Sequence, residues 1–283
     1  MKYTLYYRNY LKSCNYSCWY CPFAKAEVNE KMLNRDKNYI RQFIDYISAS
    51  PDTFDLFFAP RGEILGYEHY QAAIIELSAL ENVGQIVIQT NLSCNLDWLA
   101  RVRADKLILW TTYHPGQAEA DFFIRQVKTL ATLGVRNTVG MVGVKENFAA
   151  IAEMDAALQQ FGVAKPYFWL NAYKDKGSYY SPDEIELLTR YDPLFPINLK
   201  NYKSKALACR TGDTVFFVEW DGTVHRCWQE IKKLGNLYQN NLSELAATAP
   251  CRKNVCSCYI GYSNICSLEL EKSYPASLLG RLP

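Results

Sequence analysis

The chain has 283 residues, 49% of them apolar, which is enough for a large buried core and excludes a disordered chain. Its 31 lysines and arginines nearly balance 29 acidic residues, with no basic run to form a strip for nucleic-acid phosphates. The N-terminal MKYTLYYRNYLKSC lacks a long apolar stretch, and no later segment reaches the ~18 consecutive apolar residues of a membrane span. The expectation is a cytoplasmic protein without a membrane partner.

Along the chain, short apolar or β-branched runs alternate with amphipathic segments. TLYY at 4–7, FDLFF at 54–58, IVIQ at 86–89, LILWT at 107–111, TVGMV at 138–142 and YFWL at 167–170 read as buried strands. The first is followed by a helix carrying Tyr39, Ile40, Phe43, Ile44 and Ile47 on one face, the second by one carrying Tyr70, Ile74, Leu77 and Leu80. Asn95 is placed to cap a short helix through Trp98, Leu99 and Val102. Phe123, Val127 and Leu130 stripe another that stops at Gly134, and Asn147 opens one with Ile151, Met154 and Leu158. Six strand and helix units in succession predict an α/β fold, a partial (β/α)6 barrel with a parallel sheet, whose sites gather at the carboxyl ends of the strands. Ser181, Pro182 and Glu184 then start a connecting helix, and TVFFVEWDGTVHRC reads as a hairpin around Asp221 and Gly222. The expected division is a barrel over 1–175, a connector over 176–205 and a small cysteine-rich domain over 206–283.

Ten cysteines in a chain with no secretion signal favour thiols over a disulfide scaffold, and they gather in two places. Cys14, Cys18 and Cys21 follow the first strand in the spacing C-x3-C-x2-C, where the strand-end rule puts a cofactor. A structural zinc site wants four ligands, and no histidine lies nearby. Three thiolates suit a cubane iron-sulfur cluster with one iron left open.

In this spacing the chain resembles the radical S-adenosylmethionine (SAM) superfamily, whose four-iron, four-sulfur (4Fe-4S) cluster binds SAM through the open iron. The resemblance implies that Tyr20, before the third cysteine, lies against adenine. It implies that Gly62 and Glu63 in APRGEILG, where Arg61 replaces the usual first glycine, hold the methionine amino group. Thr90 and Asn91 in QTNLS would lie near the ribose, and Gly143 and Glu146 in VGMVGVKEN fit a loose GxIxGxxE pattern. The stretches YRNYLKSCNYSCWYCPFAK, YHPGQ, GNLY and CSCYIGY further resemble a group of bacterial radical SAM proteins associated with a second radical SAM protein and a sulfatase-like protein. That resemblance supplies no substrate.

The run from Cys209 through Gly222 to Cys227 resembles the opening of twitch and SPASM extensions, which bind auxiliary iron-sulfur clusters. Without the full CxxCxxxxxCxxxC array, it implies one auxiliary 4Fe-4S cluster, completed by Cys256 with Cys251 or Cys258, Cys266 being a poorer choice. Structural zinc is the alternative for these thiols. Cys94 is either a small buried hydrophobe or a hydrogen-atom donor. His114, in TTYHPGQ after the fourth strand, is either a loop residue or a substrate contact, and Asn171 ends the sixth strand as a polar contact beside Trp169.

The implied activity is reductive cleavage of SAM and hydrogen abstraction from a small metabolite or peptide, with a reductase or flavodoxin as electron donor. Many peptide-modifying relatives carry a leader-binding domain before the barrel, whereas thirteen residues precede Cys14 here, so the expectation tilts toward a small molecule, or toward a peptide recognised another way. The other class of function is an iron-sulfur or zinc electron carrier, against which Tyr20, Gly62 and Glu63 weigh, since a carrier needs no pocket for adenine or methionine.

Overall fold

Each apolar run becomes a strand, and alternation along the strands decides which side chains face which core. In the computed structural model, which describes residues 1–23, 25–174, 179–247 and 249–283, the chain begins with strand β1 (Lys2–Arg8), helix α1 (Glu30–Ala49), β2 (Thr53–Phe58) and α2 (Glu68–Ala79). It continues through β3 (Val83–Thr90), β4 (Leu107–Thr112), α3 (Ala120–Thr132), β5 (Arg136–Val142), α4 (Phe148–Gln159) and β6 (Tyr167–Asn171). The six strands pair in parallel in chain order. On β1, Leu5 and Tyr7 point outward to the helices, whereas Tyr6 points inward to join Phe57, Val87, Trp110 and Trp169.

Asn29 caps α1, its side chain accepting from the Met32 amide at 3.0 Å, and the helix buries Ile40, Phe43, Ile44 and Ile47 against the outer face. Each such side chain contributes ~1.5–3 kcal/mol by leaving water. Helix α3 buries Phe123, Val127 and Leu130 and stops before Gly134, whose φ of 67° is the left-handed end that glycine supplies cheaply. The helix expected after Asn95 is only a 3-10 turn at Asp97–Arg101, because the Asn95 side chain folds back to accept from the Asp97 amide at 2.7 Å.

After β6 come α5 (Pro182–Tyr191), α6 (Phe195–Leu199), β7 (Tyr202–Lys203), β8 (Val215–Glu219), β9 (Thr223–Cys227) and β10 (Glu230–Asn236). The chain closes through α7 (Leu242–Leu245), β11 (Val255–Cys256) and α8 (Tyr259–Tyr262). Ser181 and Glu184 form the expected capping box on α5, and β8 and β9 form the expected hairpin, turning through Gly222 at φ 79°.

The cysteine-rich region is not set apart as its own small core. Strand β8 pairs in parallel with β1, from Thr4 opposite Val215 to Arg8 opposite Glu219. The result is one nine-stranded sheet of order β10-β9-β8-β1-β2-β3-β4-β5-β6. The final residues fill the inside of the barrel near the amino ends of the strands. Ser277 donates to the Gln85 side chain at 2.9 Å, and Gly280 lies against Ile108. Arg281 is 1% exposed, its guanidinium carbon 3.8 Å from the Tyr259 ring centre, 4.4 Å from Trp169 and 4.8 Å from Trp110. Gly140 makes room for Trp169, since a Cβ there would fall 2.0 Å from the indole.

Candidate active site

Above this aromatic layer lies a cavity of about 670 Å³ at the carboxyl ends of the strands. Its walls carry Arg8, Ala59, Gln89, Thr112, Val142 and Asn171, each two residues beyond an inner-core position on its own strand or strand end. Trp110, Trp169 and Tyr259 form the floor, and Cys14, Cys18 and Cys21 line the cavity from the loop after β1.

That loop is docked by backbone contacts. The Glu63 amide donates to the Ser13 carbonyl at 2.9 Å, and Gly62 has φ 151° with no space for a side chain. The Tyr16 amide points at Cys14 Sγ (3.4 Å) and Asn91 Nδ2 lies 3.9 Å from the same sulfur. Burial pushes the Cys14 and Cys18 thiols above their usual range.

Glu63 is a clamp between strand ends. Its oxygens accept from the Leu65 amide (2.9 Å), the Thr90 hydroxyl (3.1 and 3.0 Å) and the Asn91 amide (2.6 Å). Burial raises its pKa against the pull of these hydrogen bonds. Arg61, where the motif departs from glycine, spans to the C-terminal hairpin, pairing with Glu219 at 3.1 Å and lying over Trp220.

Tyr20 and His114 meet directly. Their rings stack at 6.0 Å, and the Tyr20 hydroxyl lies 3.0 Å from His114 Nδ1. Burial, aided by Lys25, lowers the His114 pKa to about 4, so the imidazole is neutral at ordinary pH.

Several expected site residues lie elsewhere. Cys94 belongs to the outer core near Trp98, away from the cavity lining, with burial raising its pKa to about 12. Gly143 is spent bridging strand ends, its amide donating to the Asn171 carbonyl at 2.9 Å and its carbonyl accepting from Tyr180. Glu146 sits exposed on a 3-10 turn, because the chain leaves β5 outward there. Asn171 does line the cavity.

The C-terminal cysteines divide between two cavities. Cys209, Cys227, Cys251 and Cys256 line one small cavity with Thr211, Arg226 and Glu230. Cys258 instead lines the large one, while remaining an electrostatic neighbour of Cys227 and Cys256. Cys251 is held by paired backbone hydrogen bonds, its carbonyl accepting from Ala206 and its amide donating to the Leu207 carbonyl. Cys266 is exposed. The side chains sequence reasoning missed, Arg8, Gln89 and Lys174, are all cavity-lining.

Among the described residues, no three histidine, cysteine or acidic side chains converge on a single-ion site. The donor sets fit iron-sulfur clusters by their chemistry, with three thiols around one loop and four around one small cavity, and amide donors facing Cys14 and Cys227 sulfurs.

Residues 209–267 match the SPASM family, an iron-sulfur cluster-binding domain. No curated protein matches the chain. Among solved structures, native anSMEcpe with bound AdoMet and Kp18Cys peptide has a TM-score of 0.58 at 13% identity, covering 88% of this chain and 81% of that one. The form with AdoMet and Cp18Cys peptide has a TM-score of 0.56 at 14% identity, covering 87% and 80%. BtrN in complex with AdoMet and 2-DOIA is more distant, with a TM-score of 0.42 at 14% identity, covering 99% and 92%. The architecture is that of the radical SAM fold. The cysteine-rich part that completes its sheet is an iron-sulfur cluster-binding extension of SPASM type.

Proposed function

We propose that the protein is a radical SAM enzyme that takes a hydrogen atom from a small metabolite or peptide, ending in oxidation or bond formation. The observation carrying this reading is the meeting of Cys14, Cys18 and Cys21 with a closed-floored cavity of about 670 Å³. An electron carrier has no use for such a volume. When bound, the N-terminal cluster and SAM supply a 5′-deoxyadenosyl radical, and the auxiliary cluster supplies an electron acceptor or a substrate anchor.

The chain's own residues bind, orient and exclude. Gly62 and the Glu63 clamp bring the ends of β2 and β3 onto the cysteine loop, with Thr90 and Asn91 alongside. Tyr20 and His114 offer a stacked pair to adenine. Trp110, Trp169 and Tyr259 keep water from below the reacting carbon, and Asn171 contacts substrate at the rim. Cys209, Cys227, Cys251 and Cys256 hold the auxiliary cluster. A reductase or flavodoxin supplies the electron.

The test is anaerobic reconstitution with SAM and a reductant. The wild type should form 5′-deoxyadenosine, and the variant C14A/C18A/C21A should form none. Equal cleavage by both removes the assignment.

A further inference from the structure

One wall of the cavity carries a cation that makes no ion pair among the described residues. Arg8 is the inward residue at the end of β1 and lines the cavity. Among the described residues its side chain makes no hydrogen bond or ion pair, and its Nε is buried without an acceptor. The carboxylate opposite it in register, Glu219, is taken, both of its oxygens accepting from Arg61 Nη2 at 3.2 and 3.1 Å.

The guanidinium is nevertheless held in place, with its carbon 3.4 Å from the Trp228 ring centre and 5.9 Å from that of Phe23. Stacking fixes the plane and leaves the edge, with its fork of N–H donors, free. Burial, partly offset by the nearby Glu219 carboxylate, lowers the pKa to about 10, so the group stays charged at neutral pH. An unpaired, largely buried cation is costly, and a planar donor fork is the geometry that carboxylates match.

We propose that Arg8 anchors a carboxylate of the substrate, so that the enzyme acts on a carboxylic acid seated against Trp228. The other cations are engaged or placed elsewhere. Lys174 donates to the carbonyls of Lys200 and Ser257 at 2.9 Å each, and Lys25 lies beside the Cys14 and Cys18 thiols. Arg8 is also on a different strand from the residues that the radical SAM resemblance gives to the methionine end of SAM. It stands between β1 and the C-terminal hairpin, whereas Gly62, Glu63 and Thr90 belong to the ends of β2 and β3.

This assignment rests on the proposed function for the substrate's fate, but its test does not use SAM cleavage. The reconstituted, SAM-loaded protein is titrated by ¹⁹F NMR with 4-fluorobenzoate and with the neutral isostere 4-fluorobenzamide. The acid should bind about tenfold more tightly, as a charge-assisted fork requires. Arg8→Gln should erase the preference while keeping iron content and SAM affinity. Arg8→Lys, which keeps charge without the fork, should weaken the preference and serves if the glutamine variant does not fold. The proposal is overturned if the wild type shows no preference, or if either folded variant keeps it in full. A Gln variant that loses SAM affinity would give Arg8 to SAM and overturn it too. Failure of SAM cleavage, with the preference intact, would instead overturn the proposed function.

Discussion

Replacing Gly62 by alanine should detach the N-terminal cysteine loop without disturbing the rest of the chain. The new Cβ would fall 1.8 Å from the Ser13 carbonyl oxygen, 2.5 Å from its carbon and 3.2 Å from the Cys14 nitrogen. All three are backbone atoms, so no side-chain rotation relieves the overlap. Backbone strain at φ 151° adds ~1–3 kcal/mol and overpacking another ~1–3 kcal/mol, about 2–6 kcal/mol together. The overlap falls where the loop meets the end of β2, at the 2.9 Å hydrogen bond from the Glu63 amide to the Ser13 carbonyl, so this contact yields before the barrel does. After anaerobic reconstitution the wild type should hold about eight irons, and G62A about four, those of the C-terminal site, with no 5′-deoxyadenosine formed. Gly66→Ala is the control, since nothing lies within 4 Å of its Cβ. A G62A protein with both clusters and wild-type SAM cleavage would refute the reasoning.

Two further predictions concern the thiols and acid stability. C251A should lose most of the iron retained by the C14A/C18A/C21A background, whereas C258S should keep it; the reverse pattern, read by iron analysis, would return Cys258 to the auxiliary site. His114, with its pKa near 4 in the folded chain against 6.5 unfolded, contributes no penalty above pH 6.5 and destabilises the fold as pH falls from there toward 4. Between pH 7 and pH 5 the cost is about 2 kcal/mol, seen as a shift in the urea midpoint of the metal-free protein that H114F should remove; an equal shift in H114F would show that the imidazole is not held neutral.

The six barrel strands were legible because each is a short apolar run and most are followed by a helix-period stripe, as LILWT at 107–111 within β4 and the Phe123, Val127 and Leu130 stripe of α3 show. The pairing of β8 with β1 was not, since nothing local in VFFVE names a partner so distant in sequence. The different surroundings of Cys256 and Cys258 had a readable signal. Cys256 and Cys258 are two apart, but the chain turns from β11 into α8 between them, so extended-strand alternation does not carry through. Arg8 was readable too, by the parity that places Tyr6 inward. The exposed place of Glu146 was not readable, because a motif match says nothing of the direction in which a chain leaves a strand.

The residues that support the cavity floor also set the order in which the molecule can be completed. The hydrogen bond from Ser277 to Gln85 spans 192 positions, and the ring stack on Arg281 joins the far end of the chain to β4 and β6. During synthesis, every barrel strand emerges before these partners exist. The nascent barrel therefore carries Trp110 and Trp169 over an unfilled interior, an apolar surface open to self-association, until Ser277 and Arg281 arrive. Assembly of the cavity is a late event in the life of this chain, governed by contacts of very high sequence separation.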